Sequence, residues 1–334
     1  MKLPEKERIE EKKRRERRAK RFNDDYNAEM KKRQEKELLN RKAEIDKQRY
    51  IEQNGNPNVV DWDQYTIVGT CQDLEKNYLR LTSAPDPSTI RPLPVLHKTL
   101  ELLKRKWTEE QNYNYICDQF KSLRQDLTVQ RIKNDFAVEV YEIHARIALE
   151  KGDLGEYNQC QSQLKQLYKL GFNGHEMEFT AYRLLYYVHT LNPTDINTLI
   201  SELTPEQKEH EFIKHALDVR TAVANGNYHK FFYLYLNPPH NMACYLMDHF
   251  VERERIKALK AMTKAYLSLN VTFITEELGF DNEEECLKLL KSLNCPIKKE
   301  KGQGYVISGK ATYSIFNRKY QDITKRGIDI KGQI

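Results

Sequence analysis

From about Val95 to Leu269 the chain places apolar residues at intervals of three and four, and no other feature narrows its fold as far. Leu96, Leu100, Leu103 and Trp107 share one helical face; Tyr113, Ile116, Phe120, Leu123 and Leu127 share the next; Ile132, Phe136, Val140, Ile143 and Ile147 share a third. Each stripe is apolar on one side, so each helix must bury it against a neighbour. The turn "ALEKGDLGEY" at 148 to 157 ends the third helix with a glycine two residues before a new apolar pattern, the arrangement of a tight helical hairpin. A related turn, "AVANGNYHKF" at 222 to 231, aligns Gly226 with Gly152 at a separation of 74 residues, two units of 37. That is close to the roughly 34-residue period of helix-turn-helix repeats. Stacked helical hairpins are the expected body.

Two stretches interrupt the pattern upstream. "NGNPN" at 54 to 58 breaks any helix, and "LTSAPDPSTIRPLPVL", Leu81 to Leu96, carries four prolines that favour an extended strap lying on the body. Downstream the character changes again. After the helix "ERERIKALKAMTKAYLSL", Asn270 to Phe273 reads as a short strand, "ITEELGF" as a short helix closed by Gly279, and Asp281 as the N-cap of a helix ending near Leu293. "IKKE", a "KGQG" turn and "YVIS" then read as a β-hairpin. Helix, strand, helix, helix, hairpin is the order of a winged helix.

The fold class expected is therefore all-α: stacked, TPR-like helical hairpins ending in a winged-helix subdomain with a small β-hairpin. The segments read as a basic tail and linker over 1–58, a Pro-rich strap over 59–94, the helical repeat over 95–252, the winged helix over 253–320 and an extension over 321–334.

Charge divides the chain unevenly. Of 55 Lys and Arg and 49 Asp and Glu, residues 1 to 49 hold 19 and 12, leaving 36 and 37 for the rest. A near-neutral body lacks the electrostatic footprint of a dedicated nucleic-acid-binding domain. The tail's "KKRRERRAKR" concentrates Lys12, Lys13, Arg14, Arg15, Arg17, Arg18, Lys20 and Arg21. It reads as a nuclear-import signal and RNA-binding arm, against a merely solvated charge run. A second basic group, Lys298, Lys299 and Lys301, surrounds the hairpin turn and suits phosphate contact without sequence readout, against a simple soluble hairpin tip. The preceding helix begins "DNEEEC", so Glu283, Glu284 and Glu285 disfavour its entry into a major groove.

"DQFKSLRQDLTVQRIK", Asp118 to Lys133, has the look of a nucleic-acid-gripping helix, with Lys121, Arg124, Arg131 and Lys133 among apolar residues. Its apolar face jumps in phase near Thr128, which is expected to cap a new helix, and Asp118, Asp126 and Asp135 offset three of its cations. A structural joint, with Arg124 and Arg131 paired internally, is the expectation.

Function classes narrow by elimination. No run reaches the roughly 20 apolar residues of a membrane span, and the charged N-terminus is unlike a signal peptide. The six cysteines, without a CxxC or a matching His pair, give neither a zinc framework nor a disulfide one, and a reducing compartment is expected. GxxxxGK[ST], HExxH, GxSxG and Rossmann fingerprints are missing, so no catalytic residue, cofactor or metal is assigned. His144, in an apolar stripe, reads as a satisfied core histidine. Tyr305, Ile307, Tyr313 and Phe316 lie at or beyond a small sheet with little chain left to cover it, and are expected to meet a partner at an exposed strand edge.

The plan of helical hairpins followed by a winged helix resembles that of PCI domains. "GTCQDLEKNYLRLTSAPDPSTIRPLPVL", "QFKSLRQDLTVQRIKNDFAVEVYEIHARIALEKGDLGEYNQCQSQL" and "RIKALKAMTKAY" resemble the Sac-three/GANP family, and within it the Thp-three and leukocyte-receptor-cluster-member-eight branch. The likeness runs from about Trp62 to Ser314. Cys71 is followed by Gln72 and Asp73, where export-scaffold members carry Cys-Pro, which favours that branch. The resemblance implies a non-enzymatic nuclear scaffold. It implies pairing with a second, signalosome-subunit-like PCI protein carrying the small acidic Sem-one/Dss-one peptide. The complex would bind RNA or ssDNA with little sequence preference, in transcription elongation and mRNA maturation including splicing. Two other readings remain open: a purely structural subunit of a lid- or signalosome-like assembly, and a winged-helix DNA-binding factor.

Overall fold

The computed structural model describes residues 66–239, 242–300 and 304–325. The hairpin array comprises α1 (Leu93–Glu110), α2 (Tyr113–Val129), α3 (Asp135–Glu150), α4 (Leu154–Lys169), α5 (Glu176–His189), α6 (Pro193–Glu202), α7 (Pro205–Glu209), α8 (Glu211–Asn225) and α9 (Tyr228–Leu236). The long α10 (Ala243–Ala265) leads into β1 (Ser268–Asn270), α11 (Val271–Glu277), α12 (Glu283–Ser292), β2 (Ile297–Glu300), β3 (Gly304–Ser308) and α13 (Gly309–Lys325). The all-α class with a small terminal sheet is what the periodicity predicts. α10 runs unbroken through residue 253, so the array and the winged helix share one helix.

Local chemistry sets the helix ends. Asn112, Asn134, Asp153, Asn227 and Asn282 each accept a backbone N–H of the turn they open, satisfying donors that the helix itself leaves free. The two aligned turns prove to be the same structure. Gly152 and Gly226 stand at φ 70° and 67°. Asp153 N donates to Ala148 O at 2.8 Å, as Asn227 N does to Ala222 O at 2.9 Å. The next cap follows suit, with Glu156 N on Asp153 Oδ1 and Lys230 N on Asn227 Oδ1, both at 3.0 Å. Each is a left-handed helix stop running directly into a cap.

Two boundary expectations are corrected. Thr128 does not cap a helix: α2 continues to Val129, the Thr128 hydroxyl donates to Arg124 O, and Asn134 caps α3. Likewise Asn282, not Asp281, caps α12, and residues 271–273 belong to α11 rather than to the strand.

The strap is extended as far as Pro92, with one 3-10 turn at Pro87–Thr89, but α1 begins at Leu93 inside the Pro-rich stretch, because Pro94 falls in the first helical turn, where its missing N–H costs nothing. Side chains of α2 and of Gln130 just after it hold its backbone: Gln130 accepts from Gly69 N, Gln119 from Lys76 N and Asp118 from Tyr78 N, while Gln125 donates to Leu79 O. Gly69 is required by closeness, because a Cβ there would stand 2.2 Å from Ile90 O. The "DQFKSLRQDLTVQRIK" stretch is therefore a joint with three faces. Phe120, Leu123 and Leu127 enter the core, the carboxamides and aspartates bind the strap, and Lys121 and Arg124 reach Glu156 of α4, both at 2.9 Å.

Candidate partner and nucleic-acid surface

The three-stranded sheet has the order β1-β3-β2, both pairings antiparallel, with Leu269 opposite Ile307 and Lys299 opposite Tyr305. β3 is thus the central strand, and the expectation that it offers an exposed edge is corrected. Of the four residues expected to meet a partner, Ile307 and Phe316 are fully buried, while Tyr305 and Tyr313 are half-buried. The physical reason is α13, a helix where little covering chain was expected. It lies against α10 and buries Phe316. Gly309 makes the turn possible: its N–H donates to Leu267 O at 2.9 Å, and a Cβ would meet Tyr266 O at 1.9 Å.

Apolar side chains of the winged helix do face solvent, but beside β1. Leu267 is 89% exposed, and Tyr266 and Phe273 are also open. Tyr266 and Leu267 precede β1 and Phe273 follows it in α11, so this apolar patch flanks an edge strand of the sheet.

At the other edge, β2 presents Lys298 and Lys299 to solvent. Lys299 Nζ lies 5.5 Å from the Tyr305 ring centroid, and neither ammonium is paired with a carboxylate of a described residue. Lys12, Lys13, Arg14, Arg15, Arg17, Arg18, Lys20, Arg21 and Lys301 lie outside the described residues. α13 adds exposed Lys310, Arg318 and Lys325. Sequence reasoning missed this helix, although Tyr313, Phe316, Tyr320 and Ile323 carry its three-and-four spacing. At α12 the first turn keeps its three glutamates, with Glu283 accepting from the Thr272 hydroxyl at 2.8 Å. These negative charges complement the helix's own dipole and oppose a phosphate there.

Three of the five cations of α10 are spent inside the fold. Arg253 donates to His189 O and Val188 O at the end of α5, and Lys257 to Val223 O at the end of α8. Arg255 donates to Leu278 O and Gly279 O and stacks 3.9 Å from the Phe280 ring centroid. Burial holds the Arg255 guanidinium below its usual range. Cations on C-terminal carbonyls satisfy acceptors the helices leave free. "RERIKALK" is thus a clasp between array and winged helix.

A separate buried cluster joins α2, α3 and α4. Arg124 bridges Glu156 and Cys160, its Nη2 and Nη1 each 2.9 Å from a partner atom. His144 stacks on Phe120 at 5.0 Å. Burial first, then the Arg124 and Lys121 cations, push its imidazole well below the usual histidine range. The expectation of a satisfied core histidine is half right: His144 is in the core, but neither ring nitrogen has a hydrogen-bond partner.

A helical array continued through one shared helix into a winged helix is a PCI-type scaffold architecture. The sequence comparisons narrow that class: the SAC3/GANP family model matches residues 27–299, and the chain belongs to this family. It is 53% identical over 278 residues to the THP3 homolog of Schizosaccharomyces pombe, covering 82% of this chain and 69% of that protein. It is 54% identical over 236 residues to the leukocyte receptor cluster member 8 homolog of Xenopus laevis, covering 70% of this chain and 29% of that one. Protein THP3 of Saccharomyces cerevisiae is 38% identical over 286 residues, 80% of this chain and 60% of that protein. The frog protein is therefore far longer than the part this chain matches. Among the described residues no helix is long and apolar enough to cross a membrane.

Proposed function

We propose that this chain is a non-enzymatic nuclear PCI scaffold. It pairs with a second PCI subunit carrying a small acidic Sem-one/Dss-one peptide, and the complex forms a surface for RNA or ssDNA in transcription elongation and mRNA maturation, including splicing. The observation that carries the nucleic-acid part is the pair Lys298 and Lys299, exposed on an edge strand and without a carboxylate partner among the described residues, beside a helix whose acidic first turn opposes groove reading. Unpaired ammonium groups neutralise phosphates and read no sequence. The basic residues of 1–49 supply the second contact region, and Tyr266, Leu267 and Phe273 replace Ile307 and Phe316 as the apolar part of the partner interface.

A gel-shift of the complex against random-sequence RNA at two salt concentrations tests this. Lys298→Glu with Lys299→Glu weakens binding and lowers the magnitude of the salt slope by about 1 for each phosphate contact removed. Unchanged affinity and slope, with deletion of residues 1 to 49 equally silent, would favour the purely structural subunit. Preference among duplex sequences would favour the DNA-binding factor.

A further inference from the structure

We propose that Cys117, His144 and Glu156 hold a divalent transition-metal ion, zinc by the softness of the donor set, between α2, α3 and α4. All three side chains are buried, and their ligand atoms lie within 4.8 Å of one another. One thiol, one imidazole and one carboxylate is a donor set that zinc accepts in tetrahedral geometry. Each ligand comes from a different helix, at separations of 27 and 12 residues, so the absence of a local CxxC or paired histidines says nothing about this site.

His144 is the second, independent observation. Its side chain is wholly buried against Phe120, and neither ring nitrogen has a hydrogen-bond partner among the described residues. Leaving such a group unsatisfied is destabilising, and a metal ion on one nitrogen gives that lone pair its partner.

The charges around the cluster fit the ion. Glu156 is held on Oε2 by Arg124, itself anchored on Cys160, and on Oε1 by Lys121. Arg124 is enclosed and stays as an outer donor that orients the carboxylate. The Lys121 side chain is 31% exposed and can turn to water, which frees Oε1 for the metal. The ion displaces the thiol proton of Cys117 to solvent and binds the thiolate, with no change of oxidation state. With Lys121 withdrawn, the doubly charged ion, one thiolate, one carboxylate and one guanidinium leave the same single net positive charge that the carboxylate and two cations carry without it. Lys121 and Arg124 also line a groove of about 530 Å³ between the strap and the helices; none of the three ligands lines it, so an ion arriving from this groove passes the Lys121 side chain, and the fourth position is left to a solvent water.

The full chain, incubated with zinc and passed through gel filtration, is expected to retain one equivalent. Cobalt substitution is expected to give a thiolate-to-metal charge-transfer band. Cys117→Ser abolishes that band and weakens zinc binding by more than the roughly 100-fold that loss of an outer supporting residue costs. Cys295→Ser, in the winged helix, changes neither. No retained zinc, or a band that survives Cys117→Ser, overturns the assignment. Should Cys117→Ser fail to fold, zinc-edge X-ray absorption on the wild-type chain decides: one sulfur among nitrogen and oxygen donors supports the site, and an all-oxygen/nitrogen or multi-sulfur shell overturns it.

Discussion

Asp126 Oδ2 accepts from Arg91 Nε at 2.6 Å with both side chains removed from solvent, and its Oδ1 meets Lys76 Nζ at 2.7 Å. Arg91 also donates to Leu74 O and Ser122 Oγ, so one carboxylate of α2 fixes the charged end of the strap. Removing one member of such a pair leaves a buried unpaired charge, at a cost of about 3–5 kcal/mol. Asp126→Ala is therefore expected to lower unfolding stability by that amount in urea titration. It is also expected to accelerate proteolysis within residues 67–90 before the helices are cut, and equal protection of strap and helices would contradict the anchoring role.

Arg124→Glu makes a different prediction. The substitution places a second carboxylate against Glu156 and removes the donor to Cys160 in a site nearly closed to water. Like charges held close in a buried setting oppose folding directly. The expected outcome is insoluble or molten protein. A soluble, cooperatively melting variant with lost RNA affinity would return the "DQFKSLRQDLTVQRIK" helix to the nucleic-acid surface.

How much of this was legible in the sequence depends on the range of the interaction. The aligned glycines and the apolar stripes are local patterns, and both survive because helix stops and helix faces are set within a few residues, apart from Ile132, which lies in the loop before α3 rather than on its face. Arg124 was legible as an internal partner because neighbouring aspartates left its stretch nearly neutral. The roles of Arg253, Arg255 and Lys257 were not, since a cation bound to a carbonyl looks in sequence like a cation facing water. Phe316 and Ile307 were misplaced for want of one helix, whose spacing was present but followed the segment assigned to the sheet. His144's lack of a partner depends on what two other helices bring beside it, and no spacing along the chain encodes that.

Stability should depend on pH through His189. Burial first, then the neighbouring His249 and Arg253, lower its pKa from 6.5 to about 4, and its Nδ1 has no partner. Arg253, Phe250 and His249 are the groups packed around it. Between those two values the unfolded chain takes up a proton that the folded chain refuses, so this contribution is full above 6.5, declines as pH falls, and levels off below about 4. Allowing for its partial exposure, the loss is about 2 kcal/mol. Chemical denaturation across that window should show the decline. His189→Gln should flatten it by that part, the remaining slope coming from His144, His215 and His249, which burial also lowers.

The matched turns at Gly152 and Gly226 allow a test of whether equal geometry means equal energy. At Gly152 a Cβ would meet the His249 ring no closer than 3.5 Å, and at Gly226 the nearest neighbour is Lys257 Cε at 4.0 Å. Neither position is short of space, so alanine at either should lose only the left-handed conformational preference, about 1–2 kcal/mol. The two turns share neither a helix nor a hydrogen-bond partner, so the double variant should lose the sum of the single losses to within about 0.5 kcal/mol. Thermal or urea unfolding of the two single variants and the double measures this directly. A Gly152→Ala loss well above that of Gly226→Ala would locate an additional constraint at His249, whose ring would stand closer to the added methyl than Lys257 does at the other site.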